Sequence, residues 1–228
     1  MPAKHSIKEY EAGAYYHLYN RGVEKRIVFQ DDADYKTFLG FLRLYLTAPH
    51  LPGDSRKVAR PISKPLNNFQ GNIILLAYCL MPNHFHLLVK QNQEDGINHF
   101  MRSLMAQYVR YFNTKYQRIG SLFQGPYKAV KVESEEQFVY LSKYIHRNPL
   151  DLPAFRETPG RLDKLENYKF SSYGNYLNLF QQSWVSCSDI LSYFSTKNPQ
   201  TTYKTFIKES TDKDILTIAP LTIDIEFD

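Results

Sequence analysis

Residues 72–91 read NIILLAYCLMPNHFHLLVKQ, and this stretch decides the fold. Its first half is an uninterrupted apolar run, which is typical of a buried strand. A turn over Met81, Pro82 and Asn83 follows, and HFHLLVKQ then has the composition of a second strand. Because only this turn separates the two runs, they predict an antiparallel β-hairpin.

The flanking sequence predicts further elements on both sides of the hairpin. They are a strand at 14–20 that ends at a turn over Arg21 and Gly22, a helix capped by Asp31 or Asp32, a helix at 96–117, a strand at 123–132, a helix at 134–148 capped by Ser134 and ended by Pro149, and a short helix at 187–194. This order predicts an α+β fold in which helices pack on an antiparallel-rich central sheet. We expect one domain over residues 1–180 and a C-terminal helical extension over 181–228.

Composition favours an anionic partner. The 228 residues carry a formal net charge of +5, and 15% of them are aromatic. Basic and aromatic side chains together suit single-stranded nucleic acid, although most of the rings are expected to be core. The two cysteines form no CxxC pattern, so neither a zinc site nor a disulfide framework is indicated. With no apolar leader and no membrane-length apolar run, the sequence predicts a cytoplasmic protein without membrane contact.

A long basic segment at 48–70 interrupts the predicted elements. Long loops in compact domains are usually functional or disordered. We therefore consider both DNA binding and a solvated insertion for this segment. Its four cationic residues before Pro65 are Arg56, Lys57, Arg60 and Lys64.

Two histidines on the second hairpin strand form the first candidate site. Residues two apart on a strand point to the same face, so His84 and His86 present their imidazoles side by side, while Phe85 points the other way. Two imidazoles at this separation can bind one divalent metal ion. The plainer interpretation is a pair of surface or hydrogen-bonded histidines.

The helix at 134–148 supplies the second candidate site. Tyr140, Tyr144 and Asn148 are four residues apart in turn, so they share one helix face, and Asn148 could add an amide oxygen to the metal shell. Core packing is the ordinary explanation for such a tyrosine stripe. Tyr108 and Tyr111 are rival tyrosines on the preceding helix, where core packing is favoured. His146, on the opposite side of its helix from Tyr144, is predicted to lie at the surface.

Together these segments resemble the REP-associated tyrosine transposases, which belong to the single-tyrosine branch of the HUH nucleases. The resemblance rests on the His84-Phe85-His86 strand, on Tyr144 four residues before Asn148-Pro149, and on His17-Leu-Tyr-Asn-Arg21-Gly22. SLFQGPYKAVKV at 121–132 and YKFSSYGNYL at 168–177 are also similar to blocks of that family. The resemblance extends from about residue 14 to about residue 180 and implies a ferredoxin-like, RRM-like core.

The resemblance also implies an activity. Such enzymes cleave and rejoin single-stranded, hairpin-flanked DNA through a covalent 5′-phosphotyrosine intermediate, with a divalent metal ion as cofactor. It implies that Tyr144 is the nucleophile and that His84, His86 and Asn148 hold Mg²⁺ or Mn²⁺. The nitrogen ligands favour Mn²⁺. Members of the family are monomers or homodimers, and both states stay open for this chain.

A further set of residues is expected to contact DNA. The strand-one pattern suggests His17, Asn20 and Arg21, although a structural role for His17 is equally open. For basic side chains elsewhere, exposure to solvent is the first interpretation and contact with the DNA backbone is the second. These candidates are Arg102, Arg110 and Lys128, together with the four cations of the 48–70 segment.

Two other functions fit parts of the pattern. A non-catalytic descendant could bind hairpin DNA without cleaving it, but an intact HxH pair, Tyr144 and Asn148 argue against a decayed site. A metal-dependent phosphohydrolase that uses water would need carboxylate ligands, and none adjoins the histidines. Only the strand-transfer enzyme forms a covalent protein–DNA adduct.

Overall fold

A four-stranded antiparallel sheet forms the centre of the protein. The computed structural model describes residues 10–48, 67–156, 158–209 and 216–222. The strands are β1 (Tyr15–Arg21), β2 (Ile73–Met81), β3 (His84–Gln91) and β4 (Lys128–Lys131), and they lie in the order β2-β3-β1-β4. This is the strand order of a ferredoxin-like β-α-β-β-α-β unit, so the predicted fold class is confirmed.

The predicted hairpin is formed by β2 and β3. Met81 pairs with His84 across a two-residue turn of Pro82 and Asn83. A register shift between Leu75 and Ala77 interrupts the ladder. Because neighbouring strand residues point to opposite faces, the continuous apolar run of β2 contributes to the cores on both sides of the sheet. The extra residue at the bulge places Ile73 and Leu75 on the same side as Tyr78 and Leu80.

Two helices cover one face of the sheet. They are α1 (Asp32–Leu46) and α2 (Gly96–Lys115), and their apolar sides pack on Phe85 and Leu87 of β3. Of the two predicted caps of α1, the structure selects Asp31, whose side chain accepts a hydrogen bond from the backbone N–H of Asp34. An ion pair also joins the two helices, because Nζ of Lys115 on α2 lies 2.7 Å from Oδ1 of the buried Asp34 on α1.

The other face of the sheet is covered by α3 (Glu135–Arg147). The Ser134 side chain caps its first turn by accepting from Gln137 N, as predicted. The α-helix ends at Arg147, and Asn148–Asp151 continue as a turn of 3-10 helix that contains Pro149. Helices therefore lie on both faces of the sheet, and α3 faces the two histidines of β3.

Strand β4 is shorter than the predicted strand at 123–132. Gly125 has a positive φ of 88°, and its backbone N–H donates to the carbonyl of Phe123. This tight turn bends the chain away from an extended path, so pairing with β1 begins only at Lys128.

The chain after residue 150 packs against α3 and along the outer edge of β2. It contains the short helices α4 (Pro153–Arg156), α5 (Arg161–Lys164), α6 (Tyr173–Tyr176), α7 (Ser188–Leu191) and α8 (Tyr203–Lys208). Ser172 N donates to Tyr78 O, and Ser186 N donates to Leu75 O. These hydrogen bonds satisfy backbone carbonyls of β2 that would otherwise be unpaired at the edge of the sheet. The helix predicted at 187–194 is only one turn long. Within the described ranges, no helix is long and apolar enough to cross a membrane.

Candidate active site

Strand β3 presents His84 and His86 to the face that α3 covers. The pairing register sets His84 opposite Arg21 of β1 and His86 opposite Tyr19, while Phe85 packs into the core formed with α1 and α2. The two imidazole rings are 4.9 Å apart between centroids and nearly perpendicular, at 87°. Both rings are buried, with exposed fractions of 9% and 0%. The plainer interpretation, surface or hydrogen-bonded histidines, is therefore wrong about the surface, while both rings are indeed hydrogen-bonded.

Helix α3 carries Tyr144 and Asn148 over these rings. The Tyr144 ring meets the His86 ring edge-on, at 5.3 Å between centroids and 83° between planes. Asn148 Oδ1 lies 3.2 Å from Nε2 of His84. All four side chains come from one chain. Tyr140 diverges from them and packs instead on Phe206 of α8, at 5.3 Å between ring centroids.

Hydrogen bonds fix the orientation of Asn148 and His84. Asn148 Nδ2 donates to the carbonyl of Tyr144 at 3.0 Å, which turns Oδ1 toward the histidines. Asn83 Nδ2 donates to Lys25 O, which turns its own Oδ1 toward Nδ1 of His84, 2.6 Å away. Nδ1 of His84 is therefore the donor, and in the neutral ring Nε2 carries a lone pair that faces the amide oxygen of Asn148.

Burial keeps His86 neutral. Desolvation, followed by the nearby His84, His17 and Arg21 side chains, holds the pKa of His86 well below its usual value of 6.5. A metal ligand must be a neutral imidazole, because the bond uses the lone pair of the ring nitrogen. The environment of His86 thus maintains the form that binds a cation.

The donor set fits a divalent cation. Two acceptor atoms that face each other at 3.2 Å, Nε2 of His84 and Oδ1 of Asn148, repel each other unless a proton or a cation lies between them. Across the parts of the chain that the structure describes, no group of three or more His, Cys, Asp and Glu side chains could hold a metal. The set instead consists of two imidazoles and one amide oxygen, which leaves positions for substrate oxygens.

The residues predicted from strand β1 have different surroundings. His17 is fully buried behind His86, and its Nε2 lies 2.9 Å from Nδ1 of His86. Asn20 lies on the opposite face, where its Nδ2 donates to Gly125 O and holds the 121–127 loop. Buried side chains present little surface to DNA, so these two positions have clear structural roles. Arg21 is half-buried beside His84.

The remaining predicted DNA contacts are divided between the two faces. Lys128 is exposed on edge strand β4, directly opposite Tyr19, and so lies on the same face as the histidines. Arg102 and Arg110 are exposed on α2, which covers the other face. The predictions for Arg56, Lys57, Arg60 and Lys64 fall outside the described residues.

The rival tyrosines are engaged elsewhere. Tyr108 is fully buried among α1 and α2, and its hydroxyl donates to Val28 O at 2.6 Å. Burial raises the pKa of this phenol far above its usual value of 10. Tyr111 donates to Asp34 Oδ1 at 3.0 Å. Both hydroxyls lie across the sheet from His84 and His86, as the core-packing interpretation predicts.

Two features of the site region were not predicted. His146 is fully buried, and its ring nitrogens lie 2.7 Å from Tyr203 Oη and 2.8 Å from Ser172 Oγ, so the prediction of a surface residue is wrong. Tyr19 is buried with its ring 4.8 Å from that of His17. The alternation of β1 contains the signal for Tyr19, since His17, Tyr19 and Arg21 share one face.

Comparisons with known proteins identify a family that this chain resembles. Residues 55–148 match the family described as "Transposase IS200 like". The resemblance predicted from the sequence is confirmed. The matched segment contains the HxH strand and Tyr144 and ends at Asn148, so the similarity to these transposases covers each residue of the proposed centre. This match supports a transposase role.

One solved structure supports the fold. A REP-associated tyrosine transposase bound to a REP hairpin aligns with a TM-score of 0.52 and 13% identity, over 81% of this chain and 92% of that one. A candidate transposase from Deinococcus radiodurans R1 aligns over 64% of this chain and 96% of that one, with 17% identity and a TM-score of 0.36, which is too low to indicate a shared fold. No curated protein sequence is significantly similar to this chain.

Proposed function

We propose that this protein is a metal-dependent transposase that cleaves and rejoins single-stranded DNA through a covalent bond to Tyr144. One observation carries the proposal. Tyr144 meets His86 edge-on at 5.3 Å, while Asn148, one turn further along the same helix, directs its amide oxygen at His84. A nucleophile and a cation-binding donor set thus share one site, as covalent phosphoryl transfer requires.

The chemical step exchanges one phosphodiester bond for another. Tyr144 Oη passes its proton to water and attacks the scissile phosphorus, so the Oη–P bond forms and the bond from phosphorus to the 3′ oxygen breaks. The leaving 3′ oxygen takes up a proton and becomes a 3′-OH. The other DNA strand end stays attached to Tyr144 as a 5′-phosphotyrosine. Attack of a 3′-OH on this ester reverses the step and rejoins DNA without a nucleotide cofactor.

His84, His86 and Asn148 would hold the divalent cation. When bound, Mg²⁺ or Mn²⁺ supplies polarisation of the scissile phosphate and stabilises the phenolate of Tyr144. The chain's own contribution is orientation. Asn83 fixes the ring of His84, and the main-chain carbonyl of Tyr144 fixes the amide of Asn148. One hydrogen bond thus links the residue that carries the nucleophile to the residue that supplies the amide ligand.

The substrate is single-stranded DNA beside a hairpin. The site lies between α3 and the sheet, where an unpaired strand can present one phosphate in line with Tyr144. A rigid duplex holds its phosphates along the outside of a much wider helix. Lys128, exposed on the same face, is positioned for a phosphate contact. We therefore expect hairpin-flanked single strands to be cleaved, and affinity to fall with added salt.

A labelled hairpin-flanked oligonucleotide tests this function. The protein is incubated with DNA labelled on the 3′ side of the cleavage point, with Mn²⁺, with Mg²⁺ and with a chelator, and the products are separated on a denaturing gel. The proposal predicts a covalent protein–DNA band that depends on the metal. A fully paired duplex of the same sequence is the control substrate and should give no band.

The same gel separates the other two functions. Binding without cleavage would support a non-catalytic hairpin-binding protein. Cleaved DNA without a covalent band would support a phosphohydrolase that uses water. Either result would contradict the proposed function.

A further inference from the structure

A chain of two hydrogen bonds connects the C-terminal segment to one of the proposed ligands. Nδ1 of His17 lies 2.6 Å from the main-chain carbonyl oxygen of Leu221, and Nε2 of His17 lies 2.9 Å from Nδ1 of His86. The two imidazoles are stacked, with centroids 5.1 Å apart and planes 18° apart. His17, His86 and Leu221 are all buried, so water does not replace these bonds.

The Leu221 carbonyl determines which atom donates in each of the two hydrogen bonds. A carbonyl oxygen only accepts, so Nδ1 of His17 must donate to Leu221. Nε2 of a neutral His17 is then an acceptor, and its partner Nδ1 of His86 must carry the proton. The lone pair of His86 consequently lies on Nε2, the ring nitrogen directed away from His17.

We propose that His17 is a positioning residue that fixes the tautomer of His86, with the Leu221 carbonyl as its anchor, so that Nε2 of His86 is the nitrogen that binds the metal ion. This inference rests on the proposed function, because it assigns His86 as a ligand. Metal-binding histidines generally donate their other ring N–H to a fixed acceptor, which orients the ring and raises its basicity. His17 is that acceptor.

The two proposed ligands are held in parallel ways. His84 donates from Nδ1 to Asn83, a neighbour in the turn, whereas His86 donates from Nδ1 to His17 on the adjacent strand. Each ring thereby keeps Nε2 as its lone-pair nitrogen. Two histidines that bind the same metal ion must both keep a lone pair on the nitrogen that faces it. Packing in an apolar core does not require the two rings to have the same tautomer.

The anchor comes from far along the chain. Leu221 packs into the apolar cluster with α3 and is separated from His17 by 204 positions. Its burial holds the carbonyl against the imidazole. The C-terminal segment at 216–222 is therefore part of the metal site's support, and not an appendage.

Nuclear magnetic resonance of the metal-free protein tests this directly. Two-bond ¹H–¹⁵N correlation spectra of the full chain identify which ring nitrogen of each histidine is protonated. We expect His17 and His86 both to carry the proton on Nδ1. A proton on Nε2 of His86 in the wild-type protein would overturn the proposal.

Two variants at His17 give the second readout, which is the Mn²⁺ dissociation constant by calorimetry without DNA. His17→Phe removes the acceptor and should weaken Mn²⁺ binding by about 10- to 100-fold. His17→Gln keeps a carbonyl oxygen that can accept from His86 and an amide that can donate to Leu221, so it should restore much of the affinity. Unchanged affinity in His17→Phe, or equal loss in both variants, would contradict the positioning role.

A matched control separates positioning from stability. Tyr108→Phe also loses one buried hydrogen bond, to Val28, but on the other face of the sheet, so its Mn²⁺ affinity should equal that of the wild type. If His17→Phe does not fold, the wild-type spectrum and His17→Gln still decide the question. If the proposed function is wrong, the oligonucleotide assay shows no covalent adduct even though the His86 tautomer and the Mn²⁺ affinity are as expected.

Discussion

The Oδ1 atom of Asn148 lies 3.2 Å from Nε2 of His84, although 64 positions separate the two residues in the chain. Both atoms are acceptors in the orientation that their other hydrogen bonds impose. A proton or a cation between the two atoms converts this repulsion into attraction, and we propose that a divalent metal ion occupies this position when it binds.

The role of Asn148 as an oxygen ligand predicts an order among its variants. Asn148→Ala removes the oxygen and should weaken Mn²⁺ binding, though less than loss of either histidine, because an amide is the weaker ligand. Asn148→Asp supplies a charged oxygen at the same place and should retain or increase affinity. Calorimetric titration with Mn²⁺ measures both. If Asn148→Ala binds Mn²⁺ as tightly as the wild type, Asn148 is not a ligand.

The histidine pair predicts a loss of activity accompanied by a loss of stability. The double variant His84→Ala/His86→Ala should abolish metal-dependent cleavage. Because both rings are buried and hydrogen-bonded, it should also lower the free energy of unfolding by about 1–3 kcal/mol per site. Denaturant unfolding and the oligonucleotide assay measure the two effects. Wild-type cleavage by this variant would refute the metal assignment.

His146 predicts a pH dependence of stability. Burial lowers its pKa from 6.5 to about 3 in the folded protein, so the unfolded chain binds the extra proton between those values. Stability is therefore fully present above pH 6.5 and falls as the pH drops toward 3, by up to about 1.4 kcal/mol per pH unit from this residue.

Denaturant unfolding between pH 7 and pH 4.5 measures the contribution of His146. His146→Gln should make the slope shallower, since the replacement does not titrate; the slope that remains includes His86, whose pKa burial also lowers. His99→Gln, at an exposed position on α2, is the matched control for replacing a histidine by glutamine. Equal slopes for the wild type and His146→Gln would rule out this explanation.

Much of the site was predictable because its parts are local patterns. Alternation on β3 sets His84 and His86 on one face, and helical spacing on α3 aligns Tyr144 with Asn148. The contact between Tyr140 and Phe206 could not be predicted from the sequence. Tyr140 and Tyr144 point in slightly different directions from the helix, and this difference matters only because α8 packs beside Tyr140.

The errors arose from long-range contacts. His146 was assigned to the surface because its own helix places it opposite Tyr144, but Tyr203 and Ser172, from the distant C-terminal part of the chain, cover it. The burial of His84 and His86 has the same origin, since α3 covers the sheet face on which they lie. The bond from His17 to Leu221 likewise spans nearly the whole chain, and no local pattern encodes it. The division at residue 180 stays a prediction.

Lys128 predicts a charge effect on DNA binding. Lys128→Gln should weaken binding to hairpin-flanked single strands and reduce the slope of log K against log salt by about 0.7–0.9, the value for one phosphate contact. Arg43→Gln is the matched control, because Arg43 is also exposed, lies on α1 across the sheet and is not among the predicted DNA contacts. Binding isotherms at several salt concentrations measure both slopes, and equal slopes would remove Lys128 from the interface.

We propose that Tyr144 alone carries the covalent intermediate. Tyr144→Phe removes only the oxygen, so folding and DNA affinity should persist while the adduct disappears. Tyr140→Phe, one turn earlier on the same helix, is the matched control and should form the adduct normally, as should Tyr108→Phe and Tyr111→Phe. The most direct measurement is mass spectrometry of the protease-digested protein–DNA adduct. We expect a single modified peptide with the phosphodiester on Tyr144, and an adduct on any other residue would contradict this assignment.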